Sequence, residues 1–393
     1  MKILFVCNEY PPRPHGGVGT FVQTIARGLY DRGHQVTVLG LGDGDLVDTD
    51  GGIRVVTLRG SKVRYVGNLI SRLRLQRWLS RQAREGQIDI IEAPDYMGML
   101  PFGVPGCPVV IRLHLSSTSI SLQAGRKAPP GISLYERHTL KANPNWIAVS
   151  HYILELTRQT FGVSSKRSAV IYNPVPAVPT SLPEMPELPA HFVLYAGQVS
   201  KRKGVLILAE AARELMTHHP GLHLVYVGGD FSHNGERPAS ELIREVVGPE
   251  LVARVHILGH LNRENVLACM RRASVFAFPS RLEALGLVVL EAMNCGLPVV
   301  CTNYPPGPEI VEDGVNGLLA DPTSPKDFCE KITRLLEDPA LARRLATNAR
   351  QSIAERFSLD GCIEQTERFY EACLEQSVPL LESRRSVGSL DRG

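Results

Sequence analysis

The chain has 393 residues, 44% of them hydrophobic and 21% charged, with a net charge of +3; this is the composition of a soluble globular protein too long for one ordinary domain, and two of ~150–200 residues are expected. That charge is too small to argue for a nucleic-acid partner, and no apolar run approaches the ~20 residues of a membrane span. The eight cysteines include no Cys-x-x-Cys pair and no accompanying histidine cluster, and the N-terminus opens directly on strand-like Lys2 to Cys7 rather than on a signal peptide, so the expectation is a reducing, cytoplasmic compartment without a structural metal or disulfide framework.

Short apolar strands alternate with helix-length amphipathic segments, the pattern of an α/β architecture with parallel sheets. Strands are expected near 2–7, 34–40, 53–58, 88–92, 109–114, 146–150 and 168–172, with helices near 19–32, 68–84, 133–142 and 151–161. The prolines between Asn173 and Pro189 are too dense for a helix or a central strand. The alternation then restarts, with strands near 192–196, 222–228, 254–258, 274–279 and 298–302 and helices near 204–217, 239–247, 263–272, 286–295, 325–337 and 339–355. The expected organisation is an N-terminal Rossmann-like domain over 1–175, an extended proline-rich linker over 176–190, a second Rossmann-like domain over 191–358, a final helix within 359–378, and a polar tail over 379–393 read as disordered. Two doubly wound halves place a cleft between two sheet edges, and ligands in such folds bind outside the carboxyl ends of the strands.

Candidate residues cluster at those ends. Gly16, Gly17 and Gly19, between the first strand and first helix, allow close backbone approach to a phosphate or sugar; a plain strand–helix turn is the alternative, and Val22 in place of a third glycine excludes a proper dinucleotide fingerprint. Residues 62–84 carry Lys62, Arg64, Arg72, Arg74, Arg77, Arg81 and Arg84 with no acid among them. That segment can lie on an anionic membrane surface, bind a phosphorylated acceptor, or simply be a solvated helix face. Glu92 and Asp95 either touch an acceptor or close a turn, and His114 ends a strand. In the loop from Tyr195 to Gly204, Lys201, Arg202 and Lys203 precede a helix whose dipole they oppose, which makes sense if an anion sits there. Lys203 is the choice for a diphosphate-binding cation. In Pro279-Ser-Arg-Leu-Glu-Ala-Leu-Gly-Leu-Val, Glu283 precedes a helix start and Glu291 lies inside that helix. Helix amides that take phosphates, flanked by carboxylates that accept from hydroxyls, suit a sugar nucleotide.

Taken together these blocks resemble the retaining glycosyltransferases of glycosyltransferase family 4 over nearly the full length. The resemblance rests on Pro14-His-Gly-Gly-Val-Gly19, Val149-Ser150 opening a helix, the Gly197 to Gly204 loop, the Glu283-x7-Glu291 pair in its strand–loop–helix setting, and Pro308-Glu-Ile-Val-Glu-Asp-Gly-Val-Asn-Gly-Leu318. It implies the GT-B fold, two Rossmann-like domains facing across a cleft, with the final helix crossing back to the first. It further implies transfer of a sugar from a UDP- or GDP-linked donor to a saccharide or lipid-linked acceptor, with no metal or other cofactor; the expected place is the cytoplasm, at the inner face of the membrane if the basic segment 62–84 binds there. Glu283 would contact the transferred sugar and Glu291 the ribose. Leu285, Gly286 and Leu287 would supply amides, Lys203 would bind the diphosphate with help from Arg202, Gly17 would face donor phosphate and acceptor, and His114 would lie near the sugar. One departure is Gln198, where members of the family usually have Arg; glutamine donates a hydrogen bond but brings no charge. Rival expectations are a related enzyme acting on a soluble acceptor and a non-catalytic nucleotide-sugar-binding module. An NAD-dependent oxidoreductase is disfavoured by the incomplete glycine fingerprint.

Overall fold

A computed structural model describes residues 1–13, 16–64, 66–185, 187–231 and 237–375. The chain forms two compact units, one of Met1–Pro174 with Leu359–Gly393 and one of Val175–Ser358. His15 of the glycine-rich loop and the tail read as disordered over 379–393 lie outside the described residues.

Unit 1 holds eight strands: β1 (Lys2–Val6), β2 (Gln35–Gly42), β3 (Leu46–Asp50), β4 (Ile53–Arg59), β5 (Ile90–Pro94), β6 (Val109–Leu113), β7 (Asn145–Ala148) and β8 (Arg167–Val170). Their order is β3-β4-β2-β1-β5-β6-β7-β8. All neighbours are parallel except β3, which returns antiparallel along β4. β1, β5 and β6 are near-continuous apolar runs because helices cover both faces of a parallel sheet. The chain winds outward from β1 to one side, then resumes at β5 on the other. The loops after β1 and β5 therefore meet at a topological switch point. The helix Leu359–Glu375 belongs to this unit, where Cys362, Ile363, Phe369, Tyr370 and Cys373 join the core with β1, β2 and the helix Gly17–Asp31.

Unit 2 holds β9 (Phe192–Ala196), β10 (His223–Val227), β11 (Val255–Ile257), β12 (Val275–Phe278), β13 (Val299–Thr302) and β14 (Leu318–Ala320). The order β11-β10-β9-β12-β13-β14 is parallel throughout. Its switch point falls between β9 and β12, which pair at Val193↔Val275 and Leu194↔Phe276. The loops leaving these two strands are the Gly197–Gly204 loop and the Glu283 loop. Strand order alone thus brings together two segments about eighty residues apart in sequence.

The proline-rich segment is extended and strapped to unit 2. Prolines offer carbonyls without donors, and side chains of unit 2 satisfy them: Arg263 and Asn294 each donate to the Pro176 carbonyl at 3.3 Å and Arg271 to Pro179 at 3.4 Å, while Arg272 donates to the Leu188 carbonyl of the same segment at 3.1 Å.

Two expectations about unit 1 need correction. In the basic helix Gly67–Arg84, Arg72 is buried. Its Nε donates to the Gly98 carbonyl at 2.8 Å, another guanidinium nitrogen donates to Met97, and the group lies 4.1 Å from the Tyr135 ring centroid. Arg72 is therefore structural, while Arg77 and Arg84 of the same helix are exposed. Glu92 does not close a turn: it is buried within β5, and its two carboxylate oxygens accept from Arg112 on the adjacent strand at 2.7 and 2.9 Å. Among the described residues no helix is long and apolar enough to cross a membrane.

Candidate functional site

The Gly197–Gly204 loop leaves β9 and forms one 3-10 turn, Lys201–Lys203, before the helix Val205–His218. Gly204 joins the two with φ of +74°, and a Cβ there would lie 2.2 Å from the Pro279 carbonyl oxygen. Only glycine permits this approach, and it seats the turn against the end of β12. Lys203 is thereby brought to the Glu283 carboxylate, and the two form an ion pair with side chains only 15% and 16% exposed. Lys203 also lies 5.9 Å from the Phe278 ring centroid. Arg202 and Gln198 are exposed on the same loop.

Beyond Glu283, buried Leu282 and Leu285 anchor the loop. Gly286, at φ of +90°, then opens the helix Leu287–Asn294, and among the described residues no side chain caps it. The first carbonyl in the ladder, that of Gly286, accepts from Val289 at 2.9 Å. The first amides of the helix carry partial positive charge without a side-chain acceptor, an arrangement suited to an anion. Glu291 sits on this helix with its Oε1 accepting from Arg263 Nε at 2.9 Å. Burial pushes the Glu291 carboxyl above the usual carboxylate range, and Arg263 opposes that shift.

Sequence reasoning missed Ser200 and Ser280, which flank the Lys203–Glu283 pair in sequence. Both hydroxyls are buried and have no hydrogen-bond partner among the described residues. Their only sequence signal is position, beside Lys201 and after Pro279. Arg263 was missed too, since an arginine in the first turn of a helix has no distinctive pattern.

Gly17 and His114 belong to unit 1. Gly17 is the first residue of the helix Gly17–Asp31. The amides at this helix start are not all open, as the glycine pattern suggested: Glu9 accepts from Gly16 N at 3.2 Å and from Gly19 N at 3.1 Å. A carboxylate of the chain itself thus sits where a phosphate was expected. His114 follows β6, and its ring meets Phe21, from the helix Gly17 opens, edge-on with centroids 5.2 Å apart. Phe21 in turn lies 4.6 Å from the Arg112 guanidinium. Burial, aided by the Arg112 charge, holds the His114 pKa down to about 3. The imidazole is therefore neutral at physiological pH, able to donate at one nitrogen and accept at the other but not to act as a cation. Buried Asp95 accepts from His114 N at 2.9 Å, so it fixes the backbone that carries this ring.

The structure thus gathers Gln198, Arg202, Lys203, Glu283, Leu285, Gly286, Leu287 and Glu291 on the two loops of the unit 2 switch point and the helix that follows. It places Gly17 and His114 on two adjoining elements of unit 1.

Two protein families match. Residues 15–177 fit Glycosyltransferase Family 4, and residues 186–352 fit Glycosyl transferases group 1. An uncharacterized glycosyltransferase of Methanocaldococcus jannaschii is 25% identical over 95% of this chain and 99% of its own. Among solved structures, the sucrose-phosphate synthase of Thermosynechococcus elongatus superposes with a TM-score of 0.76 at 21% identity, covering 95% of this chain and 99% of that one. The Anabaena protein HepE, solved in complex with UDP-glucose, gives 0.72 at 22% identity over 95% and 100%. At such identities the structural likeness is one of fold, the two Rossmann-like units of GT-B.

Proposed function

We propose that this chain, which belongs to glycosyltransferase family 4 and the group 1 glycosyl transferases, is a retaining enzyme that moves a sugar from a UDP- or GDP-linked donor to a hydroxyl of a saccharide or lipid-linked acceptor in cell-surface polysaccharide or glycolipid synthesis. The observation that carries this reading is the Lys203–Glu283 pair beside an uncapped helix start. The donor has a diphosphate for Lys203 and the amides of Leu285 to Leu287, sugar hydroxyls for Glu283, and ribose hydroxyls for Glu291. UDP-glucose, bound by the Anabaena relative, is a donor of this kind.

The chemistry follows from those assignments. The bond between the anomeric carbon and the β-phosphate oxygen breaks, and negative charge develops on the leaving diphosphate. Lys203, with the helix amides, stabilises that charge as it forms. The acceptor oxygen attacks the anomeric carbon from the leaving-group face, so configuration is retained, and its proton passes to the departing phosphate. Unit 1 is the acceptor side, with Gly17 and neutral His114 as its contacts. Because Glu9 holds two amides of the Gly17 loop, that loop offers a sugar hydroxyl an acceptor more readily than it offers a phosphate a donor.

A thermal-shift panel tests the donor class. UDP or GDP, or the corresponding sugars, at about 100 times Kd should stabilise the protein by about 2.7 kcal/mol. Stabilisation by NAD and not by UDP, GDP or ADP would overturn the reading. Lipid-linked and soluble acceptors, compared in transfer assays, separate the surface-glycan reading from a small-molecule one.

The exposed cations Lys62, Arg77 and Arg84 suit peripheral contact with an anionic membrane at the cytoplasmic face, each worth about 1 kcal/mol near such a surface. Phosphatidylglycerol vesicles should therefore co-sediment the protein at low salt, and Arg77→Glu with Arg84→Glu should release it. Equal binding to uncharged vesicles would refute an electrostatic contact.

A further inference from the structure

We infer that Arg263 is a positioning residue for the nucleotide site, holding the Glu291 carboxylate in the orientation that receives a ribose and anchoring it to the strap at Pro176. The inference rests on the proposed reading of Glu291. Arg263 opens the helix Arg263–Arg272, whose start is capped by Asn262 accepting from Asn265 N. A cation in the first turn opposes the helix dipole, so its place there is explained by what it binds. Its Nε donates to Glu291 Oε1 at 2.9 Å and a second nitrogen donates to the Pro176 carbonyl at 3.3 Å. Asn294, the last residue of the helix that carries Glu291, donates to the same carbonyl at 3.3 Å. One planar group thus fixes the carboxylate against a second helix and against the strap. Engaging Oε1 leaves Oε2 to accept from hydroxyls, and the nearby charge favours the ionised form of a carboxyl only 20% exposed. The guanidinium fork sets direction as well as charge, which a lysine would not reproduce.

The test measures binding of UDP or GDP, whichever stabilises the wild-type protein, and of inorganic pyrophosphate, which lacks a ribose, to the full chain by titration calorimetry. Arg263→Ala should weaken the nucleotide by about tenfold or more, leave pyrophosphate within about twofold, and raise donor KM far more than it lowers kcat. Arg263→Lys should fall between. Combining Arg263→Ala with Glu291→Gln should weaken binding little beyond Glu291→Gln alone. Asn294→Ala, which removes the other grip on Pro176, should leave nucleotide affinity within about twofold. The inference is overturned if Glu291→Gln weakens the nucleotide while Arg263→Ala and Arg263→Lys do not, or if pyrophosphate binding falls as much as nucleotide binding, or if Asn294→Ala weakens the nucleotide equally. If wild type binds nucleotide and Glu291→Gln binds it as tightly, the ribose reading itself falls and this inference with it.

Discussion

Lys203→Ala is expected to lower the transfer rate at saturating donor by about 10²–10³, the usual effect of removing one group aimed at developing charge. The expectation follows from how few cations the site commits. Of the three basic residues in the turn, Lys201 and Arg202 are exposed, and Lys203 is held inward by Gly204 against Pro279 and paired with Glu283. Gln198 brings no charge. The ion pair also gives Lys203 a second role, because it holds the Glu283 carboxylate in place until a diphosphate competes for the ammonium. Lys203→Arg should retain more activity than Lys203→Ala. Glu283→Ala should also lose transfer, while binding of UDP or GDP, which lack the transferred sugar, should change little. The measurements are kcat per folded molecule and nucleotide affinity, with melting temperature as the folding control. A purely structural pair would lower the melting temperature and leave kcat per folded molecule within about threefold of wild type, and that result would remove Lys203 from the chemistry.

Much of the fold was legible because parallel strands covered on both faces leave apolar runs that composition cannot hide. What escaped was what lacks such a run. β3 is exposed or only partly buried along its length, as expected for a polar edge strand. β14 and the helix Gly307–Ile310 are only 3 and 4 residues long. The site was legible as separate motifs and not as contacts. Lys203 and Glu283 could each be picked from their settings, but their pairing depends on β9 lying beside β12, which is a fact of sheet order. Glu9 could not be foreseen as the partner of the Gly16 and Gly19 amides, since nothing local marks a glutamate before two prolines as an internal anion. Glu92 misled for the same reason. At a strand end it looked available to a ligand, and only β5 pairing with β6 reveals that Arg112 is beside it.

Glu92→Gln is accordingly expected to destabilise unit 1 by about 3–5 kcal/mol, because breaking a buried ion pair leaves an uncompensated charge. Arg112 is 1% exposed and stays charged in any environment a protein offers. Its Nε and one terminal nitrogen donate to the two Glu92 oxygens at 2.7 and 2.9 Å, and the same terminal nitrogen lies 3.4 Å from Thr366 Oγ1. Tyr370 Oη donates to Glu92 Oε2 at 2.6 Å. Glutamine fits the space but offers one acceptor oxygen and turns an amide N–H₂ toward a guanidinium. Thr366 and Tyr370 both lie on the helix Leu359–Glu375, so the pair also fastens that helix to the centre of the sheet. Tyr370→Phe, which removes one hydroxyl and no charge, should cost only about 1–2 kcal/mol. At roughly 2–4 °C per kcal/mol for a domain of this size, Glu92→Gln should lower the unit 1 transition by about 10 °C while the unit 2 transition and its nucleotide affinity stay put. Hydrogen exchange in β5, β6 and the last helix should accelerate together. If instead melting is unchanged and only the acceptor KM rises, Glu92 is a ligand contact, and Arg112 must find its counter-charge elsewhere.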